Sequence, residues 1–241
     1  VWLEEHEVNG EKVLVPVLYL AQANNRLAPN GALIQGTNVK LIAGEDLHNT
    51  GTLRASNNLT AAAGNDLVNS GLIEAGNRLD LLAGNSIVNQ SGGIITGRDV
   101  NLVAVKGDII NERTVTSSGF ASQGYSQHSE YLDNASRIEA SNDLKASAGR
   151  DFISTGSALT SGRDTVIEAG RDASIVSAQS NNSAFTGATT SSVHQVGSTA
   201  TAGRDLTVNA GRDLSVIGSQ ISAQRGIGMR AERGLLIASG E

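Results

Sequence analysis

A chain of 241 residues with 28 glycines and only 3% aromatic residues has little bulk for a globular core, so its core has to be thin and repetitive. A formal net charge of -6 excludes the basic footprint of a nucleic-acid binder, and the absence of cysteine excludes disulfides and thiolate metal sites. No run approaches the ~20 apolar residues of a membrane-spanning helix, and the longest apolar stretch, 13–21, is interrupted by Pro16.

In chain order, residues 1–8 and 11–21 flank Asn9-Gly10, a strong hairpin signal, and Pro16 confines part of the second arm to a sheet edge. Residues 1–30 therefore read as an N-terminal hairpin and a lead-in strand. The chain begins with Val, lacks a basic leader, and runs its last repeat straight into Gly240 and Glu241. It is expected to be a segment of a longer protein.

From Gly31 the sequence repeats: GALIQGTNVKLIAGEDLHNT, GTLRASNNLTAAAGNDLVNS, then GLIEAGNRLDLLAGNSIVNQS. Self-similarity at this period predicts a stacked solenoid in which each unit buries its apolar face only against its neighbours. Within each unit Val39, Leu41 and Ala43, then Leu59, Ala61 and Ala63, then Leu79, Leu81 and Ala83 alternate with polar residues. That is the period of a half-buried strand. Gly44, Gly64 and Gly84, with Gly36, Ser56 and Gly76 eight residues earlier, mark the corners. The expected fold is all-β, a right-handed parallel β-helix of about nine coils with about 20 residues per coil and two inserted loops. Strands ~4.8 Å apart make that a rod on the order of 40 to 45 Å long. A leucine-rich repeat has an overlapping period, but it needs a helical segment, and no 3.6-residue period occurs here.

Asn49, Asn69, Asn89 and Asn111 each lie two residues after Leu47, Leu67, Ile87 and Ile109, so they share the inward orientation of those apolar residues. Stacked amides can satisfy one another along the axis. Arg54 and Glu74 read as exposed corner charges. Beyond the regular block the tripeptide Gly-Arg-Asp occurs six times, at 97–99, 149–151, 162–164, 170–172, 203–205 and 211–213. Turn chemistry accounts for it, with Gly at the bend and Asp capping it. Arg and Asp could also pair in columns, at about 0 to 1 kcal/mol for each exposed pair.

Regular coils occupy 31–113, 137–179 and 199–241, the last truncated. An inserted loop spans 114–136 and a Ser/Thr-rich one spans 180–198. Insertions between repeats project from one side and often carry binding. The first holds Phe120, Tyr125, His128 and Tyr131, the candidates for surface binding. His6, His48, His128 and His194 have no metal-ligand spacing, and no GGxGxDxUx calcium unit occurs. No catalytic, cofactor-binding or metal residue is assigned. A polysaccharide lyase would need carboxylates or basic groups converging on an aromatic-lined groove, for which seven aromatics offer little.

The run from LIAGEDLHNT to GDIINERTV resembles the filamentous haemagglutinin repeats of two-partner-secreted exoproteins. Together with GRDLTVNAGRDLSVIGSQI it is similar to the repeat region of CdiA-type contact-dependent growth inhibition proteins, over roughly residues 20–238 by the repeat criterion. The resemblance implies a non-enzymatic stalk or delivery segment, secreted to a Gram-negative cell surface through a TpsB/CdiB-type outer-membrane transporter. It would support presentation or translocation of a C-terminal toxin into a neighbouring bacterium, facing target-cell outer-membrane or periplasmic components. The alternative is a haemagglutinin-type adhesin that binds a cell surface through the inserted loops. The segment is expected to be monomeric and to bind no nucleic acid.

Overall fold

The computed structural model describes residues 2–8, 11–17 and 31–240. The chain divides into two units, 1–31 and 32–241. In the first, Trp2–Val8 pairs antiparallel with Glu11–Val17, Val8 standing opposite Glu11. The Asn9-Gly10 turn and the lead-in residues 18–30 lie outside the described residues.

The second unit is a parallel β-helix. Its third face is the simplest to follow: Leu47–Asn49, Leu67–Asn69, Ile87–Asn89, Ile109–Glu112, Phe152–Thr155, Ala173–Val176, Asp213–Ile217 and Gly234–Ala238 form an eight-stranded parallel sheet. Eight coils thus stack among the described residues, in keeping with about nine. The first face begins at Leu33–Gly36 and the second at Val39–Ala43. Leu72–Ala83 and Ile94–Ala104 run unbroken round the corner between them, joining both faces into one fourteen-stranded sheet.

The inward positions stack into columns because register is kept coil after coil. On the first face Leu53, Ile73, Ile95, Ile138 and Leu159 lie over one another, all buried. On the second face the column from Ala43 through Ala63, Ala83, Ala104, Ala148, Ala169 and Ala210 to Ala231 is entirely alanine. It closes the second-face strands, at the last residue before the corner. The corner glycines have a steric cause too: a Cβ on Gly64 would lie 2.0 Å from the Gly44 carbonyl oxygen, and one on Gly84 would lie 2.1 Å from that of Gly64.

Arg54 and Glu74 are not corner charges. They stand in strands one coil apart, in register, with Arg54 Nε donating to Glu74 Oε2 at 2.7 Å. A 20-residue offset in a 20-residue coil places two residues directly over each other, which is why they pair.

Candidate functional site

Three sets of polar contacts organise the second unit, one at each corner. At the third corner Asn49 Nδ2 donates to Asn69 Oδ1 at 2.7 Å, Asn69 to Asn89 at 2.8 Å, and Asn89 to Asn111 at 2.8 Å. Each amide also donates to a carbonyl of the next coil, those of Leu72, Ile94, Arg137 and Ala158. Leu67, Ile87 and Ile109 are buried beside them and Leu47, in the first coil, is partly buried. After Asn111 serines take over: Asn111 donates to Ser157 Oγ at 3.0 Å, and the Ser154, Ser157 and Ser198 hydroxyls bond to one another and to backbone carbonyls. These buried amides and hydroxyls are thereby satisfied internally, while the Ser136 hydroxyl, buried at the same corner, has no hydrogen-bond partner.

The other two corners carry ion pairs between coils. Arg163, Arg204 and Arg225 donate from Nε to Asp143, Asp164 and Asp205 at 2.7, 2.7 and 2.9 Å. Arg150, Arg171, Arg212 and Arg233 do the same to Asp108, Asp151, Asp172 and Asp213 at 2.7, 2.8, 2.8 and 2.9 Å. Each pair is bidentate, through a second contact from Nη2 to Oδ2. The carboxylate also accepts a backbone N–H of the following coil, as Asp172 does from Asp213 at 3.2 Å. The capping expected of this Asp therefore acts across coils rather than within its own bend. In the earlier coils Asn takes the place of Arg as donor, from Asn77 to Asn58 at 3.0 Å at one corner and from Asn85 to Asp66 at 2.7 Å at the other.

The two insertions are β-hairpins. Val115–Ser122 pairs antiparallel with Tyr125–Leu132 around Gly124, whose φ is +78°, and Ala178–Phe185 with Thr189–Val196 around Gly187, at +90°. Positive φ suits glycine at both turns. Both hairpins leave the helix at the third corner, and they join through Ser126, Gln127 and His128, which pair with Phe185, Ala184 and Ser183. The product is a four-stranded antiparallel sheet.

Glu130 clasps the junction. Its Oε2 accepts the Asn181 N–H at 2.7 Å, its own N–H donates to Asn182 Oδ1 at 3.0 Å, and His128 Nε2 lies 3.1 Å from its Oε1. The Asn181 N–H, with help from His128, holds the Glu130 carboxyl below the usual range. Arg113 roots the first hairpin, donating to Gly156 O at 2.9 Å and to Asp133 O at 2.6 Å.

Opposed residues in a ladder share a face. Phe120 and Gln127 are opposed, as are Ser122 and Tyr125, Ser118 and Ser129, and Thr116 and Tyr131. Gln127 in turn opposes Ala184, and Ala184 opposes Thr190, which carries the same face across the second hairpin. Phe120 and Tyr125 meet at a centroid distance of 6.1 Å, and Tyr125 Oη donates to Gln127 Oε1 at 2.8 Å. Two open depressions on this face adjoin through Gln127 and Ser129; one reaches Phe120 and Tyr131, the other Asn182, Thr190 and Ser192.

The chain is 33% identical over 194 residues to the "tRNA nuclease CdiA" of Escherichia coli O6:K15:H31 (strain 536 / UPEC), covering 76% of the chain and 6% of that protein. It is 31% identical over 189 residues to the "tRNA nuclease CdiA" of Yersinia mollaretii, covering 73% of the chain and 6% of the relative. A family model described as "Hemagglutinin repeat" matches residues 180–241. The chain is a CdiA-type haemagglutinin-repeat region. No solved structure matches it.

Within this repeat region the structure gathers Phe120, Tyr125 and Tyr131 on one face of the paired hairpins and turns His128 to the other, towards Glu130. Sequence reading missed Glu130, Asn181 and Asn182, because no local signal tells two insertions some fifty residues apart that they will share a sheet. The available hint was that each insertion carries a glycine turn between segments long enough to be strands. Among the described residues no cluster of His, Asp and Glu has the arrangement of a metal site, and no helix is long and apolar enough to cross a membrane.

Replacing Glu130 by Ala is expected to separate the hairpins while sparing the coils. Hydrogen exchange checks this: the amides of Asn181 and of Glu130 itself should lose protection, and that of Leu206 should keep it. Unchanged protection at Asn181 would mean that the backbone pairing alone holds the junction.

The ion-pair columns give the repeat region an acid limit. Arginine hydrogen bonds hold Asp108, Asp164, Asp172, Asp205 and Asp213 below the usual carboxylate range. A carboxyl with a lowered folded pKa adds stability that is complete above its unfolded value of ~3.9 and vanishes as pH falls through the folded value. The melting temperature is therefore expected to be level from neutrality to about pH 5 and to fall below about pH 4. Asp172→Asn, which keeps an acceptor for the Asp213 N–H, should make that fall shallower; an unaltered pH profile would refute the contribution.

Proposed function

We propose that this repeat region is a non-enzymatic stalk or delivery segment of a contact-dependent growth inhibition exoprotein. The observation that carries this reading is a single uninterrupted core, shared by eight coils and braced at all three corners by contacts between coils. A solenoid of this kind transmits load from coil to coil, because each coil is fixed to its neighbours by backbone ladders and side-chain columns. The likeness to CdiA proteins supports the same reading, although the nuclease of their names belongs to whole proteins of which this chain spans 6%. In the proposed setting the full-length protein leaves through a TpsB/CdiB-type transporter, is displayed on a Gram-negative surface, and meets outer-membrane or periplasmic components of the neighbour that receives its toxin.

In-frame removal of residues 32–240 from the exoprotein that carries them is expected to abolish growth inhibition of a neighbouring strain. Surface labelling should still find the shortened protein on the producing cell. Full inhibition without these residues overturns the reading. Turnover of an acidic polysaccharide by the repeat region would overturn its non-enzymatic part.

The paired hairpins favour a second role alongside the first, contact with a cell surface. Nearly all of Val115–Ser122 and Thr189–Val196 is exposed, so neither outer strand is committed to the solenoid core. Replacing both hairpins by a short corner like Gly156-Ser157 should reduce cell binding, measured by flow cytometry, while the circular dichroism of the β-helix persists. Undiminished binding would make the hairpins spacers.

A further inference from the structure

We infer that the face of the paired hairpins bearing Phe120 and Tyr131 binds an uncharged oligosaccharide, which deepens the surface-contact reading and rests on it. The ladder registers assign every residue of the four strands to one face or the other, and the strand residues of the face with Phe120 and Tyr131 include no Asp, Glu, Lys or Arg; the one carboxylate at its end, Asp133, accepts from the Thr114 and Thr116 hydroxyls. The one acid within these strands, Glu130, belongs to the opposite face and is engaged by Asn181. In a chain with 17% charged residues, a four-stranded face whose strand residues include no Asp, Glu, Lys or Arg is a compositional exception.

What the face presents instead suits sugar. Phe120 and Tyr131 are 63% and 60% exposed, rings free to lie against the C–H face of a pyranose. Between them the depression is floored by Ser118, Gln127 and Ser129, whose hydroxyl and amide groups both donate and accept hydrogen bonds, as sugar hydroxyls require. Four residues along a strand place Tyr131 roughly 13 Å beyond Gln127, the partner of Phe120, a reach of a few sugar rings. The adjoining depression extends the track across Asn182, Thr190 and Ser192.

Other ligand classes fit less well. Phosphate, sulfate and nucleic acid call for Arg or Lys, and this face has none. A lipid surface calls for a continuous apolar face or a basic one. At about 190 and 220 Å³ the open depressions fall short of the ~300–1,000 Å³ pockets that enclose small molecules, so an extended chain lying across the surface fits better.

The test uses the intact chain with chitohexaose, cellohexaose and maltohexaose, set against a heparin hexasaccharide and oligogalacturonate, by isothermal titration and saturation-transfer NMR. At least one neutral hexasaccharide should bind saturably, with an affinity indifferent to salt. The Phe120→Ala/Tyr131→Ala double variant should weaken it about tenfold or more, the loss expected from two aromatic contacts. Val193→Ala, on the opposite face and lining neither depression, should leave it unchanged. Both rings are largely exposed, and circular dichroism verifies that the double variant folds.

No binding by any neutral hexasaccharide, binding confined to the charged ones, or wild-type affinity in the double variant each overturns the inference. Hairpin replacement separates the two claims. If it abolishes cell binding but no neutral sugar binds, surface contact stands and this inference falls. If the sugar binds through the rings but cell binding survives hairpin replacement, the inference stands and the contact reading falls.

Discussion

Replacing Leu67 by Asp is expected to destabilise the β-helix by about 5 kcal/mol or more, since loss of a buried leucine costs about 2–5 kcal/mol and an unpaired buried charge adds several more. Leu67 is fully buried and lies in register between Leu47 and Ile87, so the new carboxylate would face two aliphatic neighbours with no cation in reach. The same change at Lys106, on an exposed bend, should cost within about 0.5 kcal/mol. Urea denaturation compares the two. Because coils touch only their neighbours, hydrogen exchange should report lost protection at Leu47–Asn49 and Ile87–Asn89 while Ala173–Val176 and Asp213–Ile217 stay protected. Equal costs at Leu67 and Lys106 would show the register to be wrong, and uniform loss of protection would show that the stack does not behave as a solenoid. Asn69→Leu should fall between them, at about 1–3 kcal/mol, since it strands the Asn89 acceptor and the Gly71 N–H.

Truncating Phe152 to Ala is expected to cost about 3–5 kcal/mol. Phe152 is the largest fully buried side chain in the core, and its column partners are Ile109 on one side and only Ala173 on the other. One aromatic ring thus fills the space that its neighbour's methyl group leaves open, and truncation would put a void between two small residues. Phe152→Leu should recover most of the loss, leaving a cost of about 1.5 kcal/mol or less, because volume rather than aromaticity is what the site needs. A midpoint for the alanine variant indistinguishable from that of the leucine variant would mean that the coils close over the gap.

These two sites differ in how much of them the sequence discloses. Leu67 is legible at once: a 20-residue period with Leu, Leu and Ile at the same phase, each two residues before Asn, states both the burial and the stacking. Phe152 is not, because its coil follows the first insertion and the phase has to be found again from Gly149-Arg150-Asp151. The same tripeptide shows where the sequence stops short. It announces a corner by its glycine, yet nothing local says that Arg171 pairs with Asp151 of the coil before rather than with Asp172 beside it. The closer partner is fixed by inter-coil register, with Arg171 Nε at 2.8 Å from Asp151 Oδ1 and 3.7 Å from Asp172 Oδ2.

Periodicity by itself determined the all-β solenoid, its corners and its inward columns, because a repeating chain that buries one face per strand has few other ways to satisfy both its backbone and its apolar residues. The tertiary structure alone decided the candidate site. Phe120, Gln127 and Tyr131 come from one insertion and Asn182, Thr190 and Ser192 from another, and each short hairpin alone could pair with many partners or none. Only the stack, by releasing both hairpins from the same corner close enough for strand pairing, selects the register in which Gln127 meets Ala184 and one face with no Asp, Glu, Lys or Arg in its strands runs across all four of them.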